Sequence, residues 1–283
     1  MGTLYVVGTP IGNLEDVSLR ALRVLREVRL IAAEDTRATR RLLARYEIAT
    51  PLTSYFEHNK LTKLEQILAA TAVGDVALVS EAGMPGISDP GYELVVAALA
   101  RGIAVVPVPG PSAVVTALAV SGLPTDQYVY LGFLPRRASE RRRLLAEAAL
   151  EPRTLVAYEA PHRLVESLED ALAALGDRRM AAARELTKLH EEVVRGTIAE
   201  VLAHFHKNEA RGEFTLVFAG RPRGEAAPDP RAARARLGEL RRQGRGGREA
   251  VAAVAAETGL PRRLVYQMWV ELERESPGAQ APG

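Results

Sequence analysis

The stretch at 80–91 holds the residues best suited to chemistry. It sets a serine, a glutamate and an aspartate (Ser80, Glu81 and Asp89) among three glycines and two prolines. An apolar run at 76–79 precedes it as a predicted buried strand, and a helical pattern follows. Small residues at the carboxyl end of a strand let a ligand touch the backbone. Alone, such a loop fits a strained turn equally well. Three more loops of this kind favour a binding site.

The elements that must position these loops alternate between strand and helix. The first loop, 8–16, follows a predicted strand at 3–7. The second, 34–37, carries two carboxylates and an arginine, and the third, 109–113, leads into a small-residue helix whose N-terminal amides would face a ligand. This alternation predicts a mainly parallel, doubly wound sheet.

The fold class is therefore α/β, with two α/β domains and a small helical C-terminal unit. The character of the sequence changes around 121–137, so we place the boundary between the domains there. A Pro-, Gly- and charge-rich segment later in the chain reads as a linker. The predicted parts are an N-terminal domain at 1–122, a second domain at 123–220, a linker at 221–230, a basic helical unit at 231–275 and a disordered tail at 276–283.

The helical unit has two interpretations. Helical patterns on either side of Gly259 fit a helix-turn-helix or a hairpin used only for packing. Tyr266 and Trp269 could stack on nucleic-acid bases. We favour the core for Trp269, because a small helical unit needs an apolar anchor.

Composition excludes several classes of protein. The chain of 283 residues is 47% hydrophobic and 25% charged, as expected of a globular protein with a sizeable core. It has no cysteine, which excludes disulfides, thiol catalysis and cysteine metal sites. No apolar run is long enough to span a bilayer and the start does not resemble a signal peptide, so we expect a cytoplasmic protein without membrane contact.

Arginines are clustered although the net charge is only +2. They are dense at 136–143 and at 231–263. Arginine suits phosphate recognition because its guanidinium is a planar fork of donors. Two interpretations stay open, a nucleic-acid surface and a solvated surface, because a cluster becomes a patch only if it folds onto one face.

Eight motifs together resemble the tetrapyrrole methylase family, the class III S-adenosylmethionine-dependent methyltransferases, and most closely its ribosomal-RNA branch. They occur in order over nearly all of both predicted α/β domains, which makes the resemblance specific. The matching segments are 8–14, 34–37, 80–91, 109–113, 132–135, 158–163, 183–188 and 212–215.

The resemblance implies a two-domain homodimer that binds S-adenosylmethionine between its domains. The implied reaction is methylation of a cytidine ribose 2′-hydroxyl in small-subunit rRNA, near the decoding centre. The substrate would be this rRNA, naked or in the assembled subunit. Where tetrapyrrole enzymes carry Gly-Asp-Pro this chain has Met84 between Gly83 and Pro85, and Asn13 stands where their first loop has aspartate. Both differences argue against a porphyrin-type substrate. A tetrapyrrole methylase and a non-catalytic RNA-binding module that keeps the cofactor site remain the alternatives.

The resemblance also implies a set of cofactor-binding residues, mostly small or apolar. The cofactor needs backbone donors, acceptors and apolar walls, and no metal site is expected. The predicted cofactor-binding residues are Pro10, Ser80, Ala82, Gly83, Met84, Ile87, Ser112, Ala113, Tyr158, Ala183 and Thr215.

A ribose hydroxyl must lose its proton in order to attack, so a carboxylate base is expected. The candidates are Asp89, Glu34 and Glu185, with Asp35 and Glu159 behind them. Asp89 ranks first because it follows the central loop, although it would also suit the N-cap of the next helix. Predicted RNA-binding residues are Arg37, Lys60, Arg136, Arg137, His162, Arg163 and Lys188.

Overall fold

A computed structural model of the chain describes residues 2–222 and 230–275. Most of the predicted linker, 223–229, and the predicted tail, 276–283, lie outside the described residues. Two compact units are distinguished. The first comprises 1–145 and 153–220 and holds both sheets, and the second comprises 146–152 and 221–283.

The first sheet has five strands, all parallel, in the order β3-β2-β4-β1-β5. This confirms the mainly parallel sheet that the alternation predicts. The central strand β4 is buried along its whole length, which is why it reads as an unbroken apolar run. The strands of the first sheet are β1 (Leu4–Val7), β2 (Leu30–Ala33), β3 (Leu52–Ser54), β4 (Val76–Val79) and β5 (Val105–Val108).

Helices cover both faces of this sheet. Apolar side chains of α1 and α2 pack with one face, and those of α3 and α4 pack with the other. Polar side chains fix where helices begin, since Ser18 and Asp35 accept N–H bonds from the first turns of α1 and α2. The helices of this part are α1 (Leu19–Glu27), α2 (Thr36–Arg45), α3 (Lys60–Ala70), α4 (Tyr92–Ala100) and α5 (Ala113–Val120).

The second sheet is mixed, in the order β6-β7-β10-β8-β9. Only β6 and β7 are parallel; the other three pairings are antiparallel. The strand β9 was not anticipated from the sequence, because its valines are followed by charge and glycine. The strands of the second sheet and the helices between them are β6 (Tyr128–Phe133), α6 (Ala138–Ala148), β7 (Thr154–Glu159), α7 (Leu164–Leu175), β8 (Arg179–Arg184), β9 (Glu192–Thr197), α8 (Ile198–Lys207) and β10 (Phe214–Phe218).

Within its described residues, the helical unit at the C-terminal end has three helices, one more than the two flanking Gly259. Trp269 is buried in their shared apolar core and its indole N–H donates to Glu273 at 2.8 Å, which confirms the core interpretation. Tyr266 is exposed. The helices are α9 (Pro230–Arg242), α10 (Gly247–Thr258) and α11 (Arg262–Glu275). Within the described residues, no helix has the length and apolar character that a membrane span requires.

A buried ion pair joins α6 to α7. Arg141 is 1% exposed, and its guanidinium lies 2.7 Å from Asp170 Oδ2. The exposed Arg142 donates to the other oxygen at 2.6 Å. These bonds hold the pKa of Asp170 below its usual value against the effect of its burial. A buried arginine is tolerated because this carboxylate compensates its charge.

We expect Asp170→Asn to lower the free energy of unfolding by about 3–5 kcal/mol, because it leaves a buried guanidinium without its counter-charge. Urea denaturation followed by circular dichroism measures this. Glu166→Gln is the control, since Glu166 is 72% exposed and lies 3.7 Å from Arg141. Its loss should stay within about 1 kcal/mol. Equal losses for both variants would contradict the assignment.

Candidate active site

One cavity of about 850 Å³ collects loops from both sheets. On the first sheet it is bounded by the segments that follow β1, β2, β4 and β5, and on the second by β6, β7, the loop after β8 and the start of β10. Ten of the eleven predicted cofactor-binding residues line it, as do the three leading base candidates. These are Pro10, Ser80, Ala82, Gly83, Met84, Ile87, Ser112, Ala113, Tyr158, Thr215, Glu34, Asp89 and Glu185.

Backbone contacts fix the floor of the cavity. Thr9 and Gly83 exchange two hydrogen bonds, of 2.9 and 3.0 Å, so the loops after β1 and β4 are joined. The loop after β5 closes against the first loop. A Cβ on Gly8 would lie 2.7 Å from Gly110 Cα, and one on Gly110 would meet the backbone of Gly8 at the same distance. Only glycine fits at either position.

The helix α5 begins at the cavity wall. Ser112 is its N-cap residue but makes no side-chain capping bond, and both Ser112 and Ala113 line the cavity. The start of a helix favours an anionic or acceptor group, although one amide of this first turn, that of Val114, already bonds to Tyr158.

The loop after β8 forms part of the opposite wall. Thr187 Oγ1 accepts the backbone N–H of Asn13 at 2.9 Å, which links the two sheets across one side of the cavity. Glu185 accepts from Lys188 Nζ at 2.9 Å, and this bond is the main reason that the pKa of Glu185 is lowered. An ionised, paired carboxylate is a weak proton acceptor, so Glu185 fits a structural role in this loop better than that of a base.

Asp89 is the most perturbed carboxyl of the cavity. Burial, assisted by the nearby Glu34 carboxylate, raises its pKa to about 7, while a hydrogen bond with Ser80 opposes the rise. It is not the N-cap of α4, because Gly91 occupies that position. That alternative interpretation is wrong.

Glu34 lies beside Asp89 in the same acidic group. Its Oε2 accepts the backbone N–H of Glu81 at 3.3 Å, and burial raises its pKa. Asp35 is instead the N-cap of α2, where it accepts the N–H groups of Arg37 and Ala38. These bonds lower its pKa. Of the candidate carboxyls, Asp89 is therefore the one poised to exchange a proton near neutral pH.

Several predicted site residues lie elsewhere. Ala183 is buried in the second sheet opposite Thr215 and does not line the cavity. Glu159 is buried and accepts from Ser167, Arg163 and the N–H of Ala160, so it is not a base. Arg163 is committed to that carboxylate and to the carbonyl of Leu134, which leaves it unsuited to RNA.

Apart from Arg163, the predicted RNA-binding residues differ in where they lie. Lys188 lines the cavity. Arg37, Arg136, Arg137 and His162 are exposed outside its lining. Lys60 begins α3, but its side chain lies outside the described part of the structure.

Sequence reasoning missed two charged residues of the lining, Arg41 and Glu213, and it gave no role to a third, Glu81. Arg41 follows Arg37 by one helical turn, which places both on the same face of a helix. This spacing could have indicated Arg41 as a site residue. Glu81 lies within the central loop, but nothing in the sequence indicates whether its carboxylate lines the cavity.

The comparisons with known proteins agree with this geometry. The family model described as Tetrapyrrole (Corrin/Porphyrin) Methylases matches residues 3–202, and the chain belongs to that family. It is 46% identical to Ribosomal RNA small subunit methyltransferase I of Halalkalibacterium halodurans over 95% of this chain and 94% of that one. It is equally identical to the protein of that name from Pseudomonas aeruginosa, over 97% and 99%.

Solved structures share the fold. Uroporphyrin-III C-methyltransferase from Thermus thermophilus, complexed with S-adenosylhomocysteine, aligns with a TM-score of 0.55 at 22% identity. The alignment covers 77% of this chain and 97% of that one. The methyltransferase CobJ aligns with a TM-score of 0.58 at 20% identity, covering 79% and 98%.

The electrostatics of Asp89 lead to a test with two variants of opposite effect. Glu34→Gln removes a negative neighbour and should lower the pKa of Asp89, whereas Ser80→Ala removes a stabilising hydrogen bond and should raise it. Carbon-detected NMR titration of the aspartate carboxyls measures both. The exposed Asp126, outside the lining, is the internal control. Shifts of the same sign in both variants would refute this account.

Proposed function

We propose that this protein is an S-adenosylmethionine-dependent methyltransferase that methylates the 2′-hydroxyl of a cytidine ribose in small-subunit rRNA. The observation that carries the proposal is Asp89, a carboxyl poised near neutral pH in the wall of a cavity built by the family's loops. The names of the relatives supply the substrate class, since those proteins are rRNA small subunit methyltransferases. The cytidine and the 2′-position rest on the sequence resemblance and on the need of a hydroxyl nucleophile for a base.

The residues present fit the cofactor. Glycines at the joined loops keep the floor free of side chains, and Gly83 has φ +77°, a conformation that glycine adopts without strain. The start of α5, where Ser112 makes no side-chain capping bond, suits the carboxylate of the cofactor's amino-acid portion. Met84 and Tyr158 supply apolar surface.

The charges of the cavity suit a cationic cofactor. Five carboxylates and two cationic side chains line it: Glu34, Glu81, Asp89, Glu185, Glu213, Arg41 and Lys188. When bound, S-adenosylmethionine supplies an activated methyl group on a positively charged sulfur. The acidic excess stabilises such a charge, and the low polarity of a partly closed cavity strengthens the effect.

Asp89 acts as the proton acceptor. It takes the proton of the ribose hydroxyl as the new oxygen–carbon bond forms and the carbon–sulfur bond breaks, and it then releases that proton to solvent. Burial, assisted by Glu34, keeps the pKa of Asp89 high enough for this transfer. The two walls hold nucleophile and methyl group in line, which is an orientation effect worth several kcal/mol.

The rRNA would approach over arginines outside the cavity. Arg37, Arg136 and Arg137 are exposed and suit phosphate groups, whereas the acidic interior repels them. This separation of positive charge outside and negative charge inside directs the phosphate backbone of the RNA to the rim of the cavity and admits a single ribose.

We further propose that the protein is a homodimer and that it acts in the cytoplasm. Exposed apolar side chains on two helices of the first unit support self-association, namely Val96 and Leu99 on α4 and Val115 and Val120 on α5. Light scattering tests the dimer, and a monomer at micromolar concentration would refute it.

Methyl transfer from labelled cofactor tests the function directly. Small ribosomal subunits and naked rRNA that lack the modification are offered side by side, and the product is mapped by nuclease digestion and mass spectrometry. We expect one ribose-methylated cytidine. Label on a base, or none on RNA while an added tetrapyrrole is methylated, would overturn the proposal.

The role of Asp89 gives a pH-dependent prediction. A base must be unprotonated, so the wild-type single-turnover rate should rise with pH and level off above about 7. Asp89→Asn should lower the rate by about 10²–10⁴-fold and remove this dependence. Asp126→Asn, at an exposed site outside the cavity, should keep the wild-type profile. An Asp89→Asn enzyme with an unchanged profile would show that another group takes the proton.

A further inference from the structure

The end of β6 carries an irregularity that aims one side chain at the cavity. Tyr130 pairs with Val156 and Phe133 pairs with Tyr158, so two residues of β6 lie opposite one residue of β7. Gly132, within this bulge, has φ +70°, which glycine adopts without strain. Bulges beside active sites commonly re-aim a side chain, and here Phe133 becomes part of the cavity lining.

Aromatic contacts hold the Phe133 ring in place. Its centroid lies 5.2 Å from that of Tyr158, with the rings tilted at 59°. Tyr158 makes an edge contact with Tyr130 at 5.4 Å, and the Tyr130 hydroxyl is 2.6 Å from Ser88 Oγ. Ser88 precedes Asp89, so the three rings are anchored beside the proposed base.

One side of this stack is left open. Phe133 is 51% exposed although it lines the cavity, and Ile87, from the central loop of the first sheet, is 53% exposed and lines it as well. A flat apolar face left open within a ligand cavity is a surface on which an aromatic group of a ligand can pack. Exposed arginines follow three and four residues later, at Arg136 and Arg137.

We propose that Phe133 is the stacking platform for the base of the target nucleotide, which places the ribose of that nucleotide before Asp89. The proposal rests on the proposed function and adds a substrate-binding residue to it. A nucleobase has the flat apolar face that the open ring requires, and its phosphates suit the neighbouring arginines. RNA-modifying enzymes reach their target by taking the nucleotide out of its stack, and an aromatic ring compensates for the lost stacking.

The test compares leucine and tryptophan at this position in the full-length protein. Phe133→Leu keeps apolar volume but removes the ring, so the RNA concentration for half-maximal single-turnover methylation should rise about 5- to 100-fold. Phe133→Trp keeps a ring and should stay close to wild type. Calorimetry should find the affinity for S-adenosylmethionine unchanged in both. Tyr128→Leu is the matched control, since Tyr128 is an aromatic residue of the same strand, 40% exposed and outside the lining.

Two results would overturn this proposal alone. One is a wild-type RNA requirement in Phe133→Leu. The other is a loss of cofactor affinity in that variant, which would place Phe133 in the cofactor site. If the wild-type protein itself methylates no rRNA, the proposed function fails and this proposal fails with it. An increased RNA requirement in Phe133→Leu, absent from Tyr128→Leu and restored by Phe133→Trp, supports it.

Discussion

The cavity depends on the close approach of two backbone segments, at Gly8 and at Gly110. The loops in which they lie follow the adjacent parallel strands β1 and β5, and a Cβ on either glycine would lie only 2.7 Å from the backbone of the other. The paired hydrogen bonds between Thr9 and Gly83 add the loop after β4, the neighbour of β1 on its other side. Three loops therefore share one floor made of backbone. A floor of this kind presents amides and carbonyls to a ligand, which side chains would otherwise cover.

Hydrogen bonds from two different loops relate the second sheet to this floor, beside the apolar packing of α5 against that sheet. Asn13 meets Thr187 from the first loop, and Ser88 meets Tyr130 from the central loop. Both sheets belong to the same compact unit, so the cavity has two walls with a defined relation. The aromatic contacts of Tyr130, Tyr158 and Phe133 run from one of these contacts to the rim. The position of Asp89 is consequently tied to both sheets through its neighbour Ser88.

The sequence was most informative where spacing and residue size decide the structure. Alternating strands and helices predicted the first sheet, and small residues after β1, β4 and β5 predicted the loops that meet. The antiparallel order of the second sheet was not predicted, because register there is set by long-range pairing such as β8 with β9. The burial of Arg163 against Glu159 and the aim of Phe133 depend on packing and on a bulge, neither of which leaves a local signal. The cofactor-binding set was largely brought together because it is defined by the loops themselves, whereas Ala183 shows that a matching motif does not guarantee an exposed side chain.

The raised pKa of Asp89 carries a cost that the rest of the fold must offset. In the unfolded chain this carboxyl ionises near its usual value of 3.8, and in the folded protein only near 7. Between these values the folded state binds more protons, so this group makes the protein progressively less stable as pH rises, and the full loss is present above pH 7. Replacing Asp89 with a neutral residue would relieve this cost but would remove the proposed base. Removing the Glu34 charge would relieve only part of it, because burial is the larger cause of the raised pKa. The acidic group therefore lowers the stability of the folded state, and this loss accompanies the raised pKa that the proposed base requires. The buried pair of Arg141 and Asp170, in the same unit, works in the opposite direction: there the lowered pKa of the carboxyl stabilises the folded state at neutral pH and loses that effect only in acid.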